Sequence, residues 1–151
     1  MLPKIHFISG IFFVVLISLF FPKITLLELA IIFLSGILID ADHMIYYSLR
    51  TKNFNLKKAL KWYKSHLTET LSLPMEGRRK RYTGFYIFHG IEMLVLLLFI
   101  SIFISRISLF VFLGFFFHML LDVPHEFVIK RTVHKFSLIY SYSQFKKLGA
   151  N

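Results

Sequence analysis

The sequence contains no cysteine, few acidic residues and a single tryptophan, and the first two shortages restrict its chemistry. Without cysteine the chain forms no disulfide, offers no thiolate to a metal ion and has no cysteine nucleophile. Only 8 residues are acidic against 18 that are basic, so the formal net charge is +10. Any bound metal ion must therefore be held by histidine, aspartate and glutamate side chains.

Hydrophobic residues make up 56% of the chain, which is more than an ordinary soluble domain contains. Apolar runs of membrane-spanning length, roughly 20 residues, occur in four places. They cover about residues 4–21, 24–49, 82–105 and 107–129. The turns after the first and third runs are so short that each neighbouring pair must be antiparallel. We therefore predict an all-α integral membrane protein, a single domain over residues 1–151 that forms a bundle of four transmembrane helices.

The basic residues lie mainly outside these apolar runs. The loop 50–81 holds ten of the 18 lysine and arginine residues, and the tail 130–151 holds five more. Short loops rich in lysine and arginine remain in the cytoplasm, so this loop and both termini are predicted to be cytoplasmic. Because the charges flank apolar runs instead of forming a soluble basic fold, membrane lipids are the predicted partner and nucleic acid is not.

Part of the basic loop has the pattern of an amphipathic helix. Its apolar side chains recur at helical spacing: Leu56, Ala59, Leu60, Tyr63, Leu67 and Leu71. Its lysines occupy the other face: Lys57, Lys58, Lys61 and Lys64. We predict a helix that lies on the cytoplasmic membrane surface. An electrostatic anchor explains its charge better than recognition of a substrate headgroup does.

Ionisable residues also occur inside or at the edges of the apolar runs. Ten do so, five acidic residues and five histidines: Asp40, Asp42, Glu92, Asp122, Glu126, His6, His43, His89, His118 and His125. An ionisable group in hydrocarbon is costly unless it is paired, ligated or turned toward water, so each is a functional candidate. Counted at about 1.5 Å per residue from the predicted cytoplasmic ends, they fall in one band of the membrane. We predict a site that opens to the cytoplasmic leaflet.

Helical spacing places several candidates on shared faces. The groups are Asp40 with His43, His118 with Asp122 and His125, and His89 with Glu92. Asp42 would point away from Asp40 on an unbroken helix. Either the backbone is distorted there, or Asp42 supports a ligand without binding the metal itself. For His6, packing and metal binding are equally open.

Imidazole and carboxylate ligands without sulfur suit zinc, manganese or iron. Zinc is the first choice, as one or two ions. The predicted ligands are Asp40, Asp42, His43, His89, Glu92, His118, Asp122, His6 and His125. A catalytic ion usually takes three protein ligands and water, so carboxylates remain for proton transfer. Glu92 and Glu126 are the predicted general bases. His66 and His134, in basic stretches, are predicted to be solvated.

These residues resemble the motifs of the YdjM-type family of small inner-membrane proteins. That family has an early histidine, a Pro-Asp-x-Asp-His segment, a His-Arg-Gly segment with a downstream His-Ser, and a late His-x-x-x-Asp. The matching residues here are His6, Asp40, Asp42, His43, His89, Gly90, His118 and Asp122. Ile39 replaces the proline and no arginine separates His89 from Gly90. Glu92 lies near the place of the missing second histidine, so either it substitutes as a ligand or the chain is a relative with altered chemistry.

The resemblance implies a metal-dependent hydrolase. Together with the apolar surroundings, it favours a lipid-like ester or phosphoester as the substrate, cleaved near the cytoplasmic leaflet. One alternative is a proton or metal-ion transporter that uses the same acids as a relay, although the predicted outer halves of the spans hold almost no polar groups. Another is a non-catalytic membrane subunit in which the metal only joins helices.

Overall fold

The computed structural model describes residues 3–82, 84–133 and 136–148, and all regular secondary structure in these residues is α-helical. The predicted all-α class is thereby confirmed. The helices are α1 Pro3–Phe20, α2 Leu26–Leu38, α3 Ala41–Thr51, α4 Leu56–Ser72, α5 Met75–Lys80, α6 Ile91–Phe103, α7 Ile107–Lys130 and α8 Leu138–Leu148.

Two helical stretches are long and apolar enough to cross a membrane. One is α7, with 24 residues, and the other is the 26-residue stretch Leu26–Thr51 that contains α2 and α3. Apolar helices also occur at α1 and α6, but they are shorter. The 13 residues of α6 rise about 20 Å, less than the roughly 30 Å of a bilayer core.

The second predicted span, residues 24–49, is not one regular helix. It is interrupted by a turn at Ile39 and Asp40 that separates α2 from α3. The His43 amide donates to the Asp40 carbonyl three residues earlier, at 3.1 Å, which is tighter than α-helical bonding. The backbone distortion anticipated beside Asp42 is therefore present.

The third predicted span, residues 82–105, starts too early. Residues 84–90 contain no helix, and α6 begins only at Ile91. Two features oppose a helix there: Gly84 has a φ of +139°, and the Phe88 amide donates to the Asp42 carboxylate at 3.0 Å. Apolar composition alone led to the wrong helix start. The basic tail also contains a helix, α8, that was not predicted.

The chain divides into two compact units. The first consists of Met1–Ile39 and Ile91–Pro124, and the second of Asp40–Gly90 and His125–Asn151.

In the first unit, α1 packs on α2, and α2 approaches α7 very closely where Gly36 faces Gly114. A Cβ atom added to Gly114 would lie 2.3 Å from the Ile32 carbonyl oxygen, which no real contact allows. The backbones of α2 and α7 are therefore in contact at this point.

A capping box starts α2, because the Thr25 amide donates to the Glu28 carboxylate at 2.7 Å and the Thr25 hydroxyl accepts from the Glu28 amide.

In the second unit, α4 packs against α3, and the amphipathic helix predicted for the basic loop is confirmed. The Asn55 side chain caps α4 by accepting from the Lys58 amide at 3.1 Å. Trp62 packs edge-on against Tyr47 of α3, with 5.8 Å between ring centroids. α4 is therefore held against α3 by aromatic packing.

Two candidate metal centres

Two groups of three side chains have ligand atoms close enough to hold a metal ion, within 4.8 Å of one another. The first, called the closed centre here, consists of His6, His118 and Asp122 in the first unit. The second, called the open centre, consists of Asp40, His43 and His89 in the second unit. The single ligand set predicted from the sequence thus falls into two groups.

The closed centre joins α1 to α7. His6 Nε2 lies 3.1 Å from one carboxylate oxygen of Asp122, and His118 Nε2 lies 3.7 Å from the other. The two imidazole rings stack with centroids 3.9 Å apart. Side-chain exposure is only 3% for His6, 1% for His118 and 9% for Asp122. His6, which the sequence left undecided, is therefore a full member of this group.

The close approach of α2 and α7 sets the orientation of His118. Its Nδ1 lies 2.7 Å from the Gly36 carbonyl oxygen, and since a carbonyl only accepts, Nδ1 carries the proton. In the neutral ring, the Nε2 lone pair then faces Asp122. Gly114, one turn before His118, lets the carbonyl of Gly36 come within this distance.

An apolar crevice adjoins the closed centre. Its walls include Phe13, Ile32 and Phe117, and His6 and His118 also line it. The crevice has a volume of about 10 Å³, which is close to the minimum for one water molecule. The space beside His6 and His118 therefore suits a water molecule or an ion and is too small for a lipid headgroup.

The open centre joins the start of α3 to the loop before α6. The same carboxylate oxygen of Asp40 lies 3.4 Å from His43 Nε2 and 3.6 Å from His89 Nε2. His89 is buried, with 1% of its side chain exposed, but Asp40 and His43 expose 27% and 19%. One side of this group is therefore accessible.

Asp42 positions the buried histidine of the open centre. One of its carboxylate oxygens accepts from the Phe88 amide and from His89 Nδ1, both at 3.0 Å. That bond puts the Nδ1 proton toward Asp42 and leaves Nε2 facing Asp40. In metal proteins, a ligating histidine commonly donates the proton of its other ring nitrogen to a carboxylate, which fixes the ring orientation. Asp42, predicted as a ligand, lies in the supporting position.

Tyrosines surround His43. The Tyr63 hydroxyl donates to the His43 carbonyl at 2.8 Å, and burial raises the pKa of Tyr63, so the donor proton is retained. The Tyr86 ring lies 4.1 Å from the His43 ring. Gly84 has a φ of +139°, which L side chains rarely adopt, and a Cβ atom there would also lie 2.5 Å from the Tyr86 hydroxyl oxygen, so both features favour glycine. Sequence analysis assigned Tyr63 only to an apolar face and missed these contacts.

The donor atoms of both centres lie close enough together to hold a metal ion. Ligands about 2.0 to 2.1 Å from a tetrahedral ion lie about 3.3 Å apart. In the open centre, the separations of 3.4 and 3.6 Å both involve the same Asp40 oxygen and are close to this value. In the closed centre, the separations of 3.1 and 3.7 Å involve the two different oxygens of Asp122. In each centre one histidine also gives its other ring proton to an oxygen acceptor. The residues present could therefore hold a metal ion.

Three other predicted residues belong to neither group. Glu92 lies half-buried in the first turn of α6, and His125 lies half-buried in α7. Glu126 is buried and lies 3.6 Å from the Lys130 ammonium group. Lys130 is itself 3% exposed and donates to the Arg81 carbonyl at 3.2 Å. The sequence placed Lys130 in the basic cytoplasmic tail, because a single lysine beyond an apolar run carries no sign of burial.

The two remaining histidines, His66 and His134, were predicted to be solvated. His66 is half-buried on α4, with Nδ1 2.9 Å from the Trp62 carbonyl oxygen. His134 lies outside the described residues.

Comparison with known proteins gives no relative. No family model matches the chain, and no curated protein or solved structure is significantly similar to it.

Proposed function

We propose that the chain is a membrane-embedded, metal-dependent hydrolase whose catalytic ion is held by the open centre. The observation that supports this most is the difference in exposure between the centres. Catalytic metal sites keep a coordination position open to water and substrate, whereas structural sites are closed. Asp40 and His43 expose 27% and 19% of their side chains, and Asp122 and His118 expose 9% and 1%.

Large exposed apolar side chains support a membrane location. Leu19 and Phe20 at the end of α1 are 73% and 71% exposed, and Ile102 and Phe103 at the end of α6 are 66% and 69% exposed. In water such surfaces lead to association, whereas lipid solvates them. We infer that α1 and α6 also cross the bilayer as part of a four-span bundle. The lysine and arginine excess of segments 50–81 and 130–151 supports cytoplasmic termini.

A divalent ion held by Asp40, His43 and His89 would lower the pKa of a bound water molecule and would polarise the ester or phosphoester oxygen. The protein side chains carry out the remaining tasks. Asp42 holds the His89 ring so that Nε2 faces the site, and the partly exposed Asp40 and His43 leave a side open to substrate. Water attacks the acyl carbon or the phosphorus and gives a proton to a carboxylate. The bond to the leaving alcohol oxygen breaks, and the carboxylic acid returns the proton to that oxygen. Glu126, which lies in the same unit as the open centre, is the base to test.

The substrate that we propose is a lipid-like ester or phosphoester, and zinc is the proposed ion, with manganese or iron as alternatives. The grounds are the apolar surroundings and the mixed nitrogen and oxygen donors. The resemblance to the YdjM-type family agrees with this proposal, because its motif residues are the ones that supply both centres: Asp40, His43 and His89 in one, His6, His118 and Asp122 in the other.

The closed centre favours a different role for its own ion, that of a structural staple. All three of its side chains are buried, and the adjoining cavity accommodates about one water molecule. An ion there would bind α1 to α7 and add its binding free energy to folding. The non-catalytic alternative therefore describes this centre better than it describes the open one.

The test combines metal analysis with turnover. Purified protein in detergent is analysed for bound metal, and it is assayed against chromogenic phosphoesters and lipid phosphates. We expect about one ion per centre. Asp40→Ala should lose one ion and all turnover, while Asp122→Ala should lose one ion and heat stability. His66→Ala, which removes a histidine outside both centres, is the matched control and should change neither quantity.

Two results would overturn the proposal. One is protein that retains no transition metal after purification and reconstitution with zinc. The other is turnover that survives in Asp40→Ala at the level of His66→Ala. Loss of turnover in Asp122→Ala alone would instead move the catalytic ion to the closed centre.

A further inference from the structure

The cytoplasmic helix α4 has three faces with different surroundings. One face packs on the protein through Ala59, Thr70 and the half-buried aromatic residues Trp62 and Tyr63. At about 100° per residue, the centre of the apolar stripe formed by Leu56, Leu60, Leu67 and Leu71 lies roughly 90° from this protein-facing side. A lysine stripe follows beyond it. The apolar stripe is therefore not the face that holds α4 to the protein.

Three of the four leucines of the apolar stripe are exposed, and Leu67 is half-buried. Leu56, Leu60 and Leu71 show 62%, 47% and 44% of their surface, and Phe54, just before the helix, shows 83%. Lys57 and Lys64 adjoin the stripe, at about 70° and 50° from its centre, and both are exposed. Leucines bordered by lysines match a bilayer with anionic headgroups, since the apolar side chains enter the interface and the ammonium groups reach the phosphates.

The protein-facing side of α4 reaches the open centre. Tyr63 donates its hydroxyl proton to the carbonyl of His43, and its ring meets the His43 ring edge-on at a centroid distance of 5.2 Å. Tyr86 also hydrogen bonds to Tyr63 and packs on the His43 ring. Any force that holds α4 in place therefore also holds a candidate metal ligand in place.

We propose that α4 docks on an anionic lipid surface and that this docking, transmitted by Tyr63, positions His43 and so raises the metal affinity of the open centre. The first part of the proposal, that α4 binds a lipid surface, depends only on α4. The second part, that Tyr63 transmits this binding to His43, rests on the proposed function, because it requires a metal ion at the open centre. Tyr63 is a positioning residue in this scheme, since it contacts His43 and not the ion.

The docking test uses the absence of cysteine. Leu60→Cys provides the chain with a single thiol, which is labelled with an environment-sensitive fluorophore. The full-length protein is reconstituted into vesicles of phosphatidylcholine alone or mixed with phosphatidylglycerol. We expect a shift of the emission to shorter wavelength only in the mixed vesicles. Each lysine near an anionic surface contributes roughly a fivefold change in the docked-to-undocked ratio.

A matched pair of variants separates position from charge. Lys64→Gln removes a charge beside the apolar stripe, whereas Lys58→Gln removes the same charge about 170° from its centre. We expect Lys64→Gln to lower the docked-to-undocked ratio about fivefold and Lys58→Gln to have little effect. Equal effects of the two variants, or equal emission in both lipid mixtures, would overturn docking. If the label emits at a short wavelength in both lipid mixtures, the apolar stripe instead contacts a second copy of the chain or another protein.

Transmission is measured as zinc affinity at the open centre, taken as the binding that Asp40→Ala abolishes. In the parent protein this affinity should be higher in mixed vesicles than in neutral ones. Tyr63→Phe should keep the fluorescence shift of the label and lose most of the affinity gain. The emission of Trp62, the only tryptophan, checks that α4 stays packed in this variant. An unchanged gain in Tyr63→Phe would refute transmission, and absence of any zinc binding would refute both transmission and the proposed function while leaving the docking result intact.

Discussion

Replacing Gly114 by alanine should separate α2 from α7 and disrupt the closed centre. The added Cβ atom would lie 2.0 Å from Ser35 Oγ, 2.3 Å from the Ile32 carbonyl oxygen and 2.8 Å from the Gly36 amide nitrogen. The serine side chain can rotate away, but the other two atoms belong to the backbone of α2. Since ordinary carbon to oxygen contacts begin near 3.4 Å, the Ile32 carbonyl must retreat by about 1.1 Å.

Such a shift is large compared with the hydrogen bond that depends on it. The bond from His118 Nδ1 to the Gly36 carbonyl is 2.7 Å long, and an increase of about 1 Å would break it. Overpacking of this kind costs about 1 to 3 kcal/mol, and a buried carbonyl left without its donor costs about 1 to 3 kcal/mol. The gain in helix propensity from glycine to alanine returns at most about 1 kcal/mol. We therefore expect a net loss of about 1 to 5 kcal/mol.

Two other glycines of the same unit provide graded controls. A Cβ atom at Gly36 would meet the Gly114 carbonyl oxygen at 3.2 Å, so a shift of a few tenths of an ångström suffices. One at Gly10 would meet only side-chain atoms of Phe33, at 3.3 Å, and this ring can move. The expected order of destabilisation is Gly114→Ala, then Gly36→Ala, then Gly10→Ala, with the last close to neutral.

The assay is thermal unfolding of the three variants in detergent, with bound metal measured before heating. Gly114→Ala should unfold at a lower temperature and release the ion of the closed centre, identified as the one lost in Asp122→Ala. Equal unfolding temperatures for Gly114→Ala and Gly10→Ala would refute the close approach of α2 and α7. Unchanged metal content in a destabilised Gly114→Ala would refute its link to His118.

Three further predictions concern other contacts. Asp42→Asn should weaken zinc binding at the open centre by about 10- to 100-fold, because it removes the carboxylate that orients His89; chelator competition measures the change, and an unaltered affinity would contradict the orienting role. Lys130→Met should destabilise the protein more than the double variant with Glu126→Gln does, since the single change leaves a buried carboxylate beside an apolar side chain; a double-mutant cycle of unfolding free energies tests this, with additive effects as the contrary outcome. Thr25→Ala should cost about 1 kcal/mol by removing the capping box of α2, and no loss of unfolding temperature would show that the cap contributes nothing.

The helices that the sequence predicted best are those in which composition and spacing act over many residues. The predicted spans 4–21 and 107–129 correspond closely to α1 and α7, and the amphipathic pattern of residues 56–71 corresponds to α4. The errors lie at positions where one local contact overrides the pattern. The Phe88 amide donates a hydrogen bond to the Asp42 carboxylate instead of to a helical carbonyl. The backbone before α6 is therefore not helical there, although its residues are apolar.

The chemical identity of the candidate ligands was also accessible without a structure. A chain without cysteine has only imidazole and carboxylate groups for a transition metal, and their presence in apolar runs marks them as unusual. How these ligands group together could not be predicted, because periodicity shows which residues share a face of one helix but not which helix packs against that face. His6 joins Asp122 across 116 residues, and Asp42, for which the sequence left a ligand role and a supporting role open, lies against His89 in the supporting position.

The sequence by itself determined the helical class, the apolar segments and the donor types, since these depend on composition and on periodicity within one segment. Only the tertiary structure decided that the ligands form two groups, one closed and one open. The reason is that ligand geometry depends on separations of a few tenths of an ångström between distant segments. Those separations are set by packing contacts such as Gly36 against Gly114 and Tyr63 against His43, which no local pattern encodes.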